Sequence, residues 1–212
     1  MSLRITEIFF SIQGESKTVG YPTVFVRLTG CPMRCSYCDT AYAFHGGSRM
    51  QQSDIIAQVQ KHSAKHVTVT GGEPLAQAEC HDLLTALCDL GYSVSLETGG
   101  AMDISKVDDR VYTVLDIKTP ASNEQENNKY ENLDHIKPSD CLKFVICDEA
   151  DYQWSKQQVA ERGLAAKCEV FFSPSADQLS ATDLADWIVR DQLPVRLQIQ
   201  LHKILWADEA GR

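Results

Sequence analysis

The run Thr23-Val-Phe-Val-Arg-Leu-Thr-Gly-Cys-Pro-Met-Arg-Cys-Ser-Tyr-Cys-Asp39 decides how the chain is read. Its first half is an apolar, β-branched strand. A glycine ends the strand, and Cys31, Cys35 and Cys38 follow at once. Three thiolates cannot fill the four iron positions of a cubane [4Fe–4S] cluster, which normally takes four cysteine ligands. A cluster held by this triplet keeps one iron open to a small molecule and can pass an electron into it. The same cysteines also admit plainer readings. A structural zinc site needs four ligands in closed tetrahedral geometry; the fourth would have to be His45, Cys80 or a residue further off, since no second C-x-x-C pair is present. Disulfides need an oxidising compartment. The opening Met1-Ser2-Leu3-Arg4 has no apolar secretory region, so the expected location is the reducing cytoplasm.

Outward from this stretch, short apolar runs alternate with helical patterns. Strands are expected at 5–12, 23–29, 66–70, 93–97, 111–117, 142–146, 169–172 and 195–200. Helices are expected at 54–62 with Ser53 as N-cap, at 77–90, at 149–162, and at 183–190 with Thr182 as N-cap. Nearly continuous hydrophobic strands between helices imply a parallel sheet covered on both faces. The polar stretch 120–140, with two prolines, reads as a long connection. Cys80, Leu84, Leu87 and Cys88 fall at helical spacing and Gly91 follows as a C′ cap, so these two cysteines read as core. Cys141, Cys147 and Cys168 lie in or beside strands and read likewise.

The unusual residues cluster just after strand ends: Gly30-Cys31, Gly71-Gly72-Glu73-Pro74, Glu97-Thr98-Gly99-Gly100, Lys118, Ser173-Pro174 and His202. Ligands bind at that edge of parallel α/β sheets and barrels. The expected fold class is therefore α/β, a partial parallel (β/α) barrel of six or seven strands. It forms one compact domain over 1–212, with the segment 195–212 near the barrel mouth. The chain has 212 residues, 43% of them hydrophobic, enough for one sizeable core. A net charge of −9 speaks against a broad nucleic-acid surface, and no apolar run is long enough for a bilayer, so neither partner is expected.

In His66-Val-Thr-Val-Thr-Gly-Gly-Glu-Pro74, two glycines after a strand let backbone approach a ligand, and the Glu73 carboxylate suits a ligand ammonium. Gly-Gly alone reads first as an ordinary turn, and the three-cysteine loop beside it reverses that reading. Taken together, Cys31-x-x-x-Cys35-x-x-Cys38, with Tyr37 between the last two cysteines, and the Gly71–Pro74 turn resemble the radical S-adenosylmethionine (SAM) superfamily. The resemblance implies a [4Fe–4S] cluster whose open iron is chelated by SAM, which is then cleaved to a 5′-deoxyadenosyl radical. Glu7-Ile-Phe-Phe-Ser-Ile-Gln-Gly-Glu15, Cys38-Asp39-Thr40, Glu97-Thr98-Gly99 and Gln200-Leu-His-Lys-Ile-Leu-Trp206 are similar to the 7-carboxy-7-deazaguanine synthase family, over nearly the whole chain. This implies a lyase of queuosine and deazapurine biosynthesis. Such an enzyme turns 6-carboxy-5,6,7,8-tetrahydropterin into 7-carboxy-7-deazaguanine with loss of ammonia, using hydrogen abstraction from C6, regenerating SAM and assisted by Mg²⁺. It also implies a homodimer and a reducing flavodoxin-like or ferredoxin-like partner.

The family pattern carries over residue by residue. Cys31, Cys35 and Cys38 would hold the cluster, and the Thr40 hydroxyl would give one oxygen to Mg²⁺. Ile12, Gln13, Gly14, Glu15, Arg27, Thr70 and His202 would meet the pterin, with Arg27 on its carboxylate. An unpaired Arg27 in an apolar strand would be costly, so a salt bridge is its plainer role. SAM would lie against Tyr37, Cys38, Asp39, Gly72 and Glu73, then Glu97, Thr98, Asp116, Ile117 and Lys118, and last Ser173, Pro174, Ser175 and Ala176. Two departures stand out. Relatives often carry a Ser-Pro-Lys type sequence where this chain has Asp116-Ile117-Lys118. In some, the chain ends just after the His-Lys segment and its carboxylate enters the substrate site, whereas here residues 207–212 run on. A glycyl-radical activating enzyme shares the cysteine spacing, and a metal-binding or redox-sensing module needs no more than the cysteines. Gln13, Arg27 and Thr40 favour the small anionic substrate.

Overall fold

Apolar and polar residues alternate along the strands, and that alternation builds the molecule. In a computed structural model describing residues 1–207, 209 and 211, Val24, Val26 and Leu28 of β2 (Pro22–Leu28) turn to the hydrophobic core. Phe25 and Arg27 line a cavity on the other face of that strand. The same division holds in β4 (His66–Gly71), where Val67 and Val69 are core while Thr68 and Thr70 face the cavity. It recurs in β5 (Ser93–Thr98), β6 (Tyr112–Asp116), β7 (Cys141–Ile146) and β8 (Glu169–Pro174).

With β1 (Ser2–Ile12), β3 (Ser48–Gln51) and β9 (Arg196–Leu197), these strands form one sheet in the order β3-β1-β2-β4-β5-β6-β7-β8-β9. From β2 to β9 all neighbours are parallel, seven strands in a partial barrel. The antiparallel strands β1 and β3 form the other edge, and the sheet does not close. Helices α1 (Gln52–Val59), α2 (Cys80–Asp89), α3 (Glu149–Glu161), the short α4 (Leu164–Lys167) and α5 (Ala181–Arg190) lie in the connections. Ile55, Leu83, Leu84, Leu87, Tyr152, Val159 and Leu184 from these helices join the core. No described helix is long and apolar enough to cross a membrane.

Several boundaries differ from the sequence expectation, each for a local reason. Helix α1 begins at Gln52, capped by Gln51 and not by Ser53, because β3 runs straight into it and the Gln52 amide donates to the Met1 carbonyl (3.0 Å). Helix α2 begins at Cys80 and not at Gln77. The Gln77 side chain is pinned to strand ends, donating to the carbonyls of Arg4 (2.9 Å) and Thr29 (3.0 Å) and accepting from the Arg4 amide (2.8 Å). Its C-terminus is as expected: Gly91 has φ +83°, and the Gly91 and Tyr92 amides bond Cys88 and Leu87 in a Schellman motif. The cap of α5 is Ser180, whose Oγ accepts from the Thr182 amide, and not Thr182 itself.

The stretch 120–140 contains three short 3₁₀ turns and no α-helix. The expected strand at 195–200 is reduced to Arg196–Leu197. Beyond it the Gln198 amide still bonds the Phe172 carbonyl (2.9 Å), but the Leu201 amide reaches the Gly14 carbonyl (3.0 Å) and the chain turns into α6 (Leu201–Trp206). Of the extension 207–212, residues 208, 210 and 212 lie outside the described residues.

Candidate active site

A cavity of about 480 Å³ opens on the inner face of the sheet, within the usual size of small-molecule sites. One wall is the cysteine loop. The Gly30 amide donates to the Ala43 carbonyl (2.8 Å), and the Gly30 carbonyl accepts from the Glu73 amide (2.8 Å). The turn after β4 therefore lies directly on the loop. A Cβ on Gly72 would stand 2.3 Å from the Gly30 oxygen and 2.7 Å from the Cys31 Cβ, so only glycine fits there.

Cys31, Cys35 and Cys38 are free and half-buried, and all three line the cavity. Burial pushes their thiols up, Cys35 to about 11, so binding metal would displace protons from them. Among the described residues, no group of three or more His, Cys, Asp or Glu side chains could hold a single metal ion. Three free thiols on one short loop can each take a separate corner of a cubane, so the donor set fits an iron–sulfur cluster. Two buried polar atoms lining the cavity, Tyr37 Oη and Asp116 Oδ1, have no hydrogen-bond partner among the described residues, as expected of a surface built for a polar ligand.

The opposite wall is charged. A bulge in β1 between Ile5 and Glu7 sets Glu7 opposite Arg27 and Phe9 opposite Phe25. Arg27 Nε donates to Glu7 Oε1 (2.7 Å), which also accepts from Tyr42 Oη (2.8 Å). The guanidinium carbon lies 5.7 Å from the Phe9 ring and 5.8 Å from the Tyr42 ring. The expected salt bridge is present, yet it uses Nε alone, and Arg27 still lines the cavity.

Lys143 Nζ donates to Glu15 Oε2 (3.0 Å) and stands 3.6 Å from Asp116 Oδ2, which is 3.2 Å from Lys118 Nζ. Lys118 in turn lies 5.9 Å from the Tyr37 ring centroid. Burial would raise the Glu15 carboxyl, but the Lys143 ammonium and the hydrogen bond from Gln200 outweigh it and hold Glu15 below its usual range. Burial pushes the Glu97 carboxyl up to about 7, with Lys143 offsetting only part of the effect. One carboxylate acceptor and one carboxyl that keeps its proton to near neutrality thus share the wall.

Gln13 closes the floor. Its Nε2 donates to Thr68 Oγ1 (3.0 Å), whose hydroxyl is 2.8 Å from Ser95 Oγ, and its Oε1 accepts from the Glu15 amide (3.2 Å). Both ends of the Gln13 side chain therefore have protein partners. The C-terminal segment roofs the same corner. Gln200 Nε2 donates to Glu15 Oε1 (3.0 Å) and Asp39 Oδ2 (3.1 Å), and His202 lies so close that a Cβ on Gly14 would stand 2.2 Å from its Nδ1. Thr40 Oγ1 donates to Asp39 Oδ1 (2.7 Å) and keeps its oxygen lone pairs on the cavity wall.

Of the site residues read from the sequence, all but two line this one cavity. Glu73 is the first correction. Its carboxylate is 0% exposed and accepts from the amides of Leu75 (3.0 Å) and Gly99 (2.8 Å) and from Thr98 Oγ1 (2.9 Å), so it locks the turn to β5 and is not offered to a ligand. Ile117 is the second: it packs in the hydrophobic core, on the opposite face from Asp116 and Lys118. Cys80 and Cys88, read as core, are buried there, and Cys141, Cys147 and Cys168 are buried as well. The sequence reading missed Lys143, Thr68 and Gln200. Lys143 had a usable signal, a single cation inside Cys141-Leu-Lys-Phe-Val-Ile146; Gln200 stood at the head of the closing motif without being given a role, and Thr68 had no signal beyond strand alternation.

Comparison with known proteins agrees with this geometry. The model of the radical SAM superfamily matches residues 25–117, from β2 through the cysteine loop to the end of β6. A 7-carboxy-7-deazaguanine synthase of Chlorobaculum tepidum is 46% identical, covering 98% of this chain and 96% of that protein. One from Koribacter versatilis is 41% identical, covering 98% of both. In fold, the chain is similar to the crystal structure of QueE from Escherichia coli, with a TM-score of 0.78 at 22% identity over 95% of each chain.

Proposed function

The chain belongs to the 7-carboxy-7-deazaguanine synthase family of radical SAM enzymes, and on that premise we propose that it converts 6-carboxy-5,6,7,8-tetrahydropterin to 7-carboxy-7-deazaguanine with release of ammonia. The observation that carries the proposal is a single cavity with three free cysteines on one wall and Arg27, Glu15, Glu97 and Lys143 on the other. When bound, the [4Fe–4S] cluster and SAM supply a 5′-deoxyadenosyl radical that removes hydrogen from C6 of the pterin.

This chain's residues hold and orient. Cys31, Cys35 and Cys38 would ligate the cluster, three thiolates for four irons. Tyr37, Asp39, Gly72, Thr98, Asp116, Lys118 and the 173–176 segment form the SAM side of the cavity. Ile12, Gly14, Glu15, Arg27, Thr70 and His202 form the pterin side, and Gln13 takes part through its backbone. The terminal amines of Arg27 carry no hydrogen bond to another described residue, and a planar guanidinium presents such a pair to a carboxylate in bidentate fashion. Glu15, held ionised by Lys143, accepts from the amino-pyrimidine edge. Glu97, read from the sequence as a SAM contact, lies in the field of Lys143, Glu15 and Asp116 and is assigned to the pterin side instead, donating in its protonated form. Thr40 and the adjoining Asp39 carboxylate give Mg²⁺ a hard-oxygen corner, to be completed by substrate and water.

The reaction needs an electron from outside, and a flavodoxin-like or ferredoxin-like donor fits that need. Eight free cysteines suit a reducing, cytoplasmic setting. A homodimer is part of the same proposal. The test is anaerobic incubation of iron-loaded protein with reductant, SAM and 6-carboxytetrahydropterin, followed by mass analysis. The expected product is 7-carboxy-7-deazaguanine. Conversion of SAM to 5′-deoxyadenosine with the pterin left intact would overturn the assignment.

A further inference from the structure

The middle of the cysteine loop hangs on a segment outside both ligand walls. The Arg34 amide donates to Glu124 Oε1 (2.5 Å), the Ser36 amide to the Ser122 carbonyl (3.0 Å), and Ser36 Oγ to the Ala121 carbonyl (2.6 Å). Inside the loop, Arg34 ties only the carbonyls of Cys31 and Met33, and the Cys38 amide bonds the Cys35 carbonyl (3.2 Å).

The supporting segment is itself irregular. It follows β6, makes one 3₁₀ turn at Pro120–Ser122 and passes through Asn123 in the left-handed region at φ +61°. Ser122 Oγ donates to the Thr119 carbonyl (2.6 Å) and accepts from the Glu124 amide (3.0 Å). What anchors it is Asp151 in the first turn of α3, 1% exposed. Asp151 Oδ1 accepts from the Ala121 amide (2.9 Å), and Oδ2 accepts from Thr119 Oγ1 (2.9 Å) and the Cys147 amide (3.1 Å). A buried carboxylate is costly without partners. Among the described residues, every partner lies on the supporting segment or at the end of β7, and none is a cation. The Asp151 amide is fixed in turn by the N-cap Asp148 (2.8 Å).

We infer that Asp151 is a positioning residue for the cluster: through residues 119–124 it holds the 33–36 segment, and with it Cys35, where the ligand set requires it. The inference rests on the cluster-binding reading of the three cysteines, but its first readout needs no cluster.

Amide hydrogen exchange is measured on metal-free wild type, Asp151→Asn and Asp151→Ala. Loss of the charge-assisted bonds should speed exchange at 33–36 and 119–124 roughly tenfold or more in Asp151→Ala. Asp151→Asn keeps one acceptor and should show a smaller rise, and strands β4 and β5 should be unchanged in both. In reconstituted protein, chelator-driven iron loss should accelerate in the same order. Ser36→Ala removes only the loop-side hydroxyl, so it should speed iron loss while leaving exchange at 119–124 as in wild type. Unchanged exchange at 33–36 in Asp151→Ala, or acceleration spread evenly over the sheet, would overturn the inference. If Asp151→Ala does not fold, an unaltered rate of iron loss in Ser36→Ala would overturn it. Wild type that never takes up four irons would instead sink the functional reading and leave the exchange result standing.

Discussion

Arg27 and Lys143 are single cations inside otherwise apolar strands, and both turn out to be charged posts of the cavity. Arg27 was legible because an unpaired charge there needs a reason, and the reason is double: Glu7 on Nε and the cavity for the rest. Lys143 carries the same signal but sits beside no motif, so the sequence alone gives it no role. Replacing Arg27 by alanine should raise KM for the pterin about tenfold to a hundredfold, the scale of a lost charge-assisted pair, with iron content unchanged. Steady-state kinetics alongside iron analysis checks both parts. Glu97 gives a pH signature. Its folded carboxyl keeps a proton to about 7 while an unfolded one loses it near 4.5, so the folded state binds more protons across that window. Stability therefore falls as pH rises through the window, against the usual carboxylate trend. Glu97→Gln should flatten that slope in melting curves; identical slopes would show that Lys143, Glu15, Asp116 and Arg27 around it keep Glu97 at its ordinary value.

At the scale of elements, what was legible was anything with periodicity or an obligatory residue type. Gly91 ends α2 in a Schellman motif as its position suggests, and the Gly71–Pro74 turn follows its strand as read. What was not legible depended on partners distant in sequence. Gln77 leaves α2 because it is hydrogen-bonded to Arg4 of β1 and to Thr29 just past β2, and the 195–200 strand is cut short because the Gly14 carbonyl captures the Leu201 amide. Glu73 was read as a ligand group because sequence gives a carboxylate no direction; three neighbouring groups had already claimed it. The turn and the loop pack backbone to backbone at Gly72. Gly72→Ala places a carbon 2.3 Å from the Gly30 oxygen, which must shift the cysteine loop. The expected outcome is a folded sheet by circular dichroism with cluster loading cut by at least about half, since such overpacking typically costs 1–3 kcal/mol. Full loading in that variant would show that the loop tolerates the shift.

Over the whole molecule, one sheet separates a hydrophobic outer layer from a charged inner face, and the chain's own hydrogen bonds close that face at the floor through Gln13 and at the roof through Gln200. The parallel half of this plan was legible from strand-end residues. The antiparallel edge was not, since β1 and β2 read alike in hydrophobicity. Lys143 joins the two sides, so Lys143→Met should destabilise the fold by about 1.5–3 kcal/mol, leaving the half-buried Glu15 without its cation and Asp116 with Lys118 alone. Denaturant unfolding measures the loss, and Glu15→Leu on that background should recover part of it.

The proposed chemistry requires the cavity to bring C6 of the pterin against the 5′-carbon of SAM. The direct measurement is anaerobic turnover with substrate deuterated at C6, followed by mass analysis of recovered SAM. Deuterium at its 5′-position is the predicted result; product formed with no label in SAM would contradict the claim.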